Sequence, residues 1–257
     1  MNWKILAILF VSSTVALTQA DKSGVELKAP TTFPIVFSNT VSAARSHAGD
    51  PVEAKTSQAV HLRSGAVIPA GTKISGHVVS ANAFVYDDMP YVRQKQSTLT
   101  IQFDSLEFRG ESLPLKVTVR AMADPITSEE ARMPQANDVG SQGTVTQIGG
   151  DQLTPSQSNV HSSYGDDVVA YNKRDGVYAH LIANGDCNAS SVEVSVGVFS
   201  GSACGLYGFN HVSALETGSA AKPSMLTLVS THTSPKIWKN STALLEVLPS
   251  QQKVASR

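Results

Sequence analysis

The chain has 257 residues, of which 41% are hydrophobic and 16% are charged, and its formal net charge is −1. This length suffices for one domain with a substantial core, and the low charged fraction is typical of a strand-rich chain. A nearly neutral chain lacks the basic surface that binds nucleic acid, so we exclude nucleic acid as a partner.

The first 20 residues have the pattern of a secretory signal peptide. Lys4 precedes an apolar run over residues 5–11, and small residues stand before Asp21, as signal cleavage requires. An uncleaved membrane anchor is the weaker alternative, because the apolar run is short for a membrane span. The sequence therefore predicts an exported protein that is periplasmic, associated with the cell envelope or secreted. Residues 21–32 would form a flexible N-terminal arm, and no transmembrane helix remains after cleavage.

Residues 33–123 are predicted to form the first half of a β-barrel. Pro69 and Gly71 indicate a β-turn, because proline presets φ and glycine permits a positive φ. We assign Gly76 and Gly110 to the same set of structural turn positions. Residues 82–96 are predicted to be a mobile hairpin tip or a surface loop. The adjacent acids Asp87 and Asp88 are interpreted as solvated turn residues, with weak calcium binding as the alternative.

The clearest alternation in the chain begins at Leu99. Apolar residues occupy odd positions up to Phe103 and even positions from Leu106, so the pattern shifts by one residue at Asp104. A shift of this kind is what a β-bulge produces. The alternation resumes after Gly110, which predicts a hairpin from residue 101 to residue 119.

Residues 124–165 form a long polar insert that is rich in Ser, Gln, Gly, Asp and Pro. We predict that the insert is disordered, with a lid as the alternative, and that Thr127 caps one helical turn within it. Residues 166–249 are predicted to form the second half of the barrel, and residues 250–257 a tail. About eight to nine strands and no helix of three turns predict an all-β fold, a single small β-barrel or barrel-like sandwich.

The chain contains two cysteines, Cys187 and Cys204, on either side of a predicted strand at residues 192–198. In an exported protein an even number of cysteines indicates a disulfide, so we predict one between them. A catalytic Cys204 thiol is the minor alternative, since no histidine stands in a recognised partner motif. The seven histidines are scattered singly, without metal-ligand spacing. We identify no catalytic residues, metal ligands or cofactor motif.

The turn region also resembles a known family. Residues 67–76, Val-Ile-Pro-Ala-Gly-Thr-Lys-Ile-Ser-Gly, resemble the Ile-Pro-x-Gly-Thr-x-Ile-x-Gly segment of TrbI-like proteins, the β-barrel component of type IV secretion core complexes. Residues 99–115 and 237–247 resemble the following hairpin and the closing strand pair of that family. Residues 49–54, Gly-Asp-Pro-Val-Glu-Ala, are similar to a segment of exported bacterial proteins of acidobacterial type.

The resemblance implies a barrel in the cell envelope and supplies no catalytic residue. It does not extend to the pore, because the insert is too polar to form the apolar helical hairpin with which that family crosses the outer membrane. We therefore expect a non-catalytic module for protein interaction or envelope structure. Its partner would be an envelope protein or another copy of the chain. A barrel that binds a small molecule or glycan, or a hydrolase with a loop-borne Ser or Cys204, are the alternatives.

Overall fold

The computed structural model describes residues 27–29, 31–62, 65–132, 145–146, 148, 152–153, 159–161, 168–173, 176–178, 198–199 and 203–249. The strands of its first half are β1 (Thr32–Phe37), β2 (Val41–Ser42), β3 (Pro51–Thr56), β4 (Val60–His61), β5 (Val67–Ile68), β6 (Lys73–Asn82), β7 (Ser97–Phe108), β8 (Glu111–Pro114) and β9 (Val117–Ala123). A helix follows, α1 (Pro125–Arg132). The later strands are β10 (Val145–Thr146), β11 (Gln152–Leu153), β12 (Asn159–His161), β13 (Val168–Lys173), β14 (Gly176–Tyr178), β15 (Gly205–Tyr207), β16 (Ser213–Glu216), β17 (Met225–Ser230), β18 (Lys236–Ile237) and β19 (Thr242–Val247).

Nine strands form one nearly closed, barrel-shaped sheet in the order β15-β9-β19-β1-β3-β6-β7-β17-β16, and β8 pairs with β7. All its pairs are antiparallel except β15 with β9. The segment between β16 and β17 approaches the remaining edge of β9. The Val119 N–H donates to the Thr217 carbonyl (2.6 Å) and the Ser224 N–H to the Val117 carbonyl (2.7 Å). The predicted all-β barrel of eight to nine strands is confirmed.

The interior of the barrel is filled by side chains. Phe37 of β1 and Phe103 of β7, strands that β3 and β6 separate in the sheet, lie with ring centroids 6.2 Å apart. Apart from Met122, the largest fully buried side chains of this core are aromatic or branched: Phe33, Ile35, Phe37, Ile68, Ile74, Leu99, Ile101, Phe103, Leu106 and Leu226. Burying such side chains is the main contribution to the stability of the fold, at about 1.5–3 kcal/mol for each.

The predicted bulge lies in β7. Ser75 of β6 pairs with Ser105, whereas Gly76 pairs with Phe103, so Asp104 is the extra residue. The predicted hairpin, in contrast, is shorter than expected. It comprises β7 and β8 and ends at Pro114, because β9 crosses the barrel to pair with β19. Likewise, β18 pairs with β2 rather than with β19, so the closing strands are not a hairpin.

The predicted turn positions divide into two groups. Gly71 (φ +80°) and Gly110 (φ +79°) occupy tight turns in the left-handed region, which glycine enters without strain. Pro69 precedes the first turn, and its carbonyl accepts a hydrogen bond from Thr56 Oγ1 (2.7 Å). Gly76 lies within β6 rather than in a turn. Its role is steric, because a Cβ there would collide with the carbonyl oxygen of Gln102.

Helix α1 occupies the beginning of the insert that was predicted to be disordered. Its N-cap is Asp124, not the predicted Thr127, since Asp124 Oδ1 accepts the Thr127 N–H (2.8 Å). Pro125 takes the first helical position, where its missing N–H has no consequence. Ser128 is fully buried against the barrel, and its hydroxyl lies 2.8 Å from that of Thr242. The start of the insert is therefore ordered and packed on β9 and β19.

Several predictions concern residues outside the described ranges. They include the signal peptide, most of the N-terminal arm, Cys187, nearly all of the strand at residues 192–198, and the tail. Much of the insert also falls outside, so the choice between disorder and a lid stays a prediction there. Within the described residues, no helix has the length and hydropathy needed to cross a membrane.

Candidate functional site

Several connections meet at one end of the barrel, which we call the loop end. Strands β1, β6 and β17 run towards it, so residues 38–50, 83–96 and 231–241 lie there together. Strands β9 and β15 also run towards this end, so the start of α1 and residues 208–212 lie there as well. Because binding residues of a barrel are commonly carried by the loops of one end, the loop end is a candidate binding surface.

The most conspicuous connection is the apolar loop, residues 84–96, between β6 and β7. The side chain of Gln94 is only 5% exposed, and it holds the backbone of the loop from within. Gln94 Oε1 accepts the Asp87 N–H (2.9 Å), and Nε2 donates to the carbonyls of Asp87 and Met89. The loop is also held by a residue outside it, because the Phe84 N–H donates to Ser234 Oγ (2.8 Å). The conformation of the loop is therefore fixed by specific hydrogen bonds.

This fixed loop presents apolar side chains to solvent. Five large ones are between 44% and 86% exposed: Val85, Tyr86, Met89, Tyr91 and Val92. Single exposed apolar residues are ordinary, but a contiguous group on one ordered loop is a feature of interaction sites. Tyrosine and methionine are also enriched in protein–protein interfaces, where a rigid aromatic side chain buries much area at low entropic cost.

A stack of three rings lies beside the loop. His232 is sandwiched between Tyr91, at a centroid distance of 4.3 Å, and His211, at 4.6 Å. The interplanar angles are 12° and 13°, so all three rings are nearly parallel. Parallel rings direct the in-plane lone pairs of the two histidines along separate planes, which does not suit joint coordination of one metal ion. The stack instead extends the flat aromatic surface of the loop end.

The second unusual site is a buried ion pair on the outer side of β9 and β19. Arg120 Nη1 lies 4.0 Å from Glu246 Oε2, and the two side chains are 1% and 5% exposed. Val119 pairs with Leu245 and Ala121 with Leu244, so Arg120 is the extra residue of a bulge. Outward-facing residues of these strands pack against Ile148, Phe199, Ala203 and Tyr207. We call this packed surface the covered face.

Burial shifts the titration of both groups. It raises the pKa of the Glu246 carboxyl to about 7, an effect that the Arg120 guanidinium partly offsets. It also lowers the pKa of Arg120, against the influence of Glu246 and Tyr207. A perturbed carboxyl is often catalytic, but these side chains are covered, so a substrate has no access to them in this conformation. The pair is best understood as part of the packing of the covered face.

The other predicted site residues remain apart from the loop end. The Cys204 N–H donates to the Tyr207 hydroxyl (3.2 Å) next to the covered face. Because Cys187 lies outside the described residues, the disulfide stays a prediction. Among the other histidines, His77 Nδ1 lies 2.8 Å from Asp104 Oδ2 across the β6–β7 pair. In the described part of the chain, no three His, Cys, Asp or Glu side chains are grouped as metal ligands.

Sequence reasoning missed both the ring stack and the ion pair. His211 and His232 belong to different connections, and only the topology of the sheet brings them together. Arg120 stands between alternating apolar residues, where its position indicates an exposed side chain. The one available signal was the loop itself, since residues 84–92 contain four valine or tyrosine residues within a stretch predicted to be exposed.

Comparison with known proteins adds no further assignment. The chain matches no protein-family model, no curated protein and no solved structure. The resemblance to TrbI-like proteins therefore stays a prediction that depends on the turn region and the hairpin.

Proposed function

We propose that this chain is an exported, non-catalytic β-barrel module of the cell envelope that binds a protein partner through its loop end. The observation that carries the proposal is the apolar loop, which exposes large apolar side chains and whose backbone is held in one conformation by Gln94. A preorganised apolar surface loses little conformational entropy on binding, so more of its interaction energy is available for affinity. The filled barrel interior supports this function over a ligand-binding barrel, because Phe33, Phe37 and Phe103 occupy the space that an apolar ligand would need.

Site-specific photo-crosslinking in the envelope tests the proposal. A photoreactive amino acid replaces Tyr86 or Val92, and a control replaces the exposed Ser112 at the opposite end of the barrel. We expect an adduct of defined mass from the two loop positions and none from position 112. Absence of an adduct at both loop positions, or equal labelling at position 112, would overturn the proposal.

A further inference from the structure

The apolar loop carries two acids and two bases that form no ion pair with the residues the structure describes. Asp87, Asp88, Arg93 and Lys95 are all exposed. The ion pairs within the described residues involve other side chains, so each of these four charges lacks an opposite charge within 4.0 Å. These four side chains have a net charge of zero, so the loop carries charges of both signs and no net charge.

The fold of the loop places the acids beside the bases. Gln94 binds the backbone of Asp87 with its side chain, and its two chain neighbours are Arg93 and Lys95. The acidic pair and the basic pair therefore belong to two segments of the loop that Gln94 holds close together. The exposed apolar side chains belong to this same short segment.

Such a surface is complementary to itself. In a two-fold interface the same patch meets its own copy, so each acid must find a base that the patch also carries. We propose that the partner of the loop end is a second copy of this chain, docked loop to loop about a two-fold axis. This inference rests on the proposed function and specifies its partner.

In this arrangement the acids of each loop face Arg93 and Lys95 of the other, and the apolar side chains, such as Tyr86 and Val92, fill the centre. An apolar centre with a charged rim is the usual anatomy of a protein interface. A single loop from each side buries a small area, so a weak dimer is expected, with a dissociation constant of roughly 10–100 µM. A partner whose surface carries charges of a single sign, such as an anionic membrane, is less complementary, because the loop presents both acidic and basic side chains.

Sedimentation equilibrium of the exported protein tests this inference, from roughly 10 µM to roughly 1 mM. The wild type should approach twice the mass of one chain. Reversing the acids (Asp87→Lys with Asp88→Lys) or the bases (Arg93→Glu with Lys95→Glu) should weaken the dimer at least ~100-fold, because like charges then face each other. The two variants mixed together should form a heterodimer. The control reverses Glu107 and Glu111 to lysine at the opposite end and should dimerise as the wild type does.

The outcomes separate this inference from the function on which it rests. A wild type that stays monomeric at ~1 mM, charge-reversed variants that dimerise normally, or a mixture that forms no heterodimer would each overturn self-association. If the photo-crosslink at Tyr86 then yields an adduct with a different protein, the binding function holds and its partner is heterologous. Sedimentation of the wild type with phosphatidylglycerol vesicles, combined with a monomeric protein, would overturn the dimer in favour of a lipid surface.

Discussion

The apolar loop and the covered face depart from the usual distribution of residues in opposite directions. The loop holds large apolar side chains in water, whereas the covered face holds an arginine and a glutamate away from it. An apolar side chain that stays in water adds no free energy of burial to the stability of the fold. A buried charge, in contrast, lowers stability, because its hydration shell must be removed. We therefore expect the exposed apolar residues of the loop to affect association. The buried charged residues of the covered face should instead affect stability.

The largest expected effect on stability is at Arg120. Arg120→Ala removes the only cation that the structure places beside Glu246 among its described residues and leaves space at a covered site. We expect a loss of about 3 kcal/mol in the free energy of unfolding, measured by denaturant titration. The matched control is Arg93→Ala on the apolar loop, which should change the same quantity by less than about 0.5 kcal/mol. Equal losses of stability in the two variants would contradict the expected difference between the covered face and the loop.

The next effect depends on pH. The pKa of Glu246 rises from 4.5 to about 7 on folding, so the folded state binds this proton more tightly than the unfolded state. The stability that this group contributes is therefore fully present below about pH 4.5 and is lost as the pH rises through about 7. Glu246→Gln mimics the neutral acid, so we expect it to match the wild type near pH 4. Above about pH 8 it should be more stable, by at most ~3 kcal/mol.

Unfolding titrations of both proteins across this range measure the difference. The exposed Glu107→Gln is the control and should show no trend with pH. A difference between Glu246→Gln and the wild type that is constant across the range would contradict the raised pKa.

Some features of this fold are predictable from the sequence and others are not. The bulge at Asp104 and the turn at Gly71 are predictable, because each depends on residues that are adjacent in the chain. The ion pair is not, since it requires β9 to pair with β19 rather than continue the hairpin of β7 and β8. The ring stack of the loop end likewise depends on which loops the closed sheet brings together.

An intermediate effect is expected at Gln94, which connects the fold of the loop to its surface. Gln94→Ala removes the side-chain hydrogen bonds to Asp87 and Met89, so we expect a loss of about 1–2 kcal/mol of stability. Hydrogen exchange at the Asp87 amide should also become faster. Gln96→Ala, at an exposed position two residues later, is the control. Unchanged exchange at Asp87 in the Gln94 variant would mean that the loop is fixed by other contacts.

The smallest effect on stability is expected on the loop surface. The double variant Tyr86→Ser with Val92→Ser changes side chains that are 63% and 86% exposed, so the free energy of unfolding should stay within about 0.5 kcal/mol of the wild type. The dimer measured by sedimentation should nevertheless be lost. Val78→Ser provides the contrast, because Val78 is fully buried in β6 and its change should destabilise the fold by about 2 kcal/mol or more. Loss of stability in the loop variant would show that its apolar side chains support the core.

The parallel pairing of β9 with β15 has a consequence for how this chain can change over evolutionary time. Ala123 ends β9 and pairs with Tyr207, so the polypeptide leaves the barrel and re-enters it along the same strand edge. The closure entropy of a connection grows only with the logarithm of its length, at about 0.6 kcal/mol for each doubling. A change in the length of the connection over residues 124–204 therefore has little entropic cost in itself. What constrains its sequence is packing, because Ser128, Ile148, Phe199 and Ala203 of this connection lie buried against β9 and β19. Selection on the connection is thus tied to the barrel through the covered face rather than through chain length.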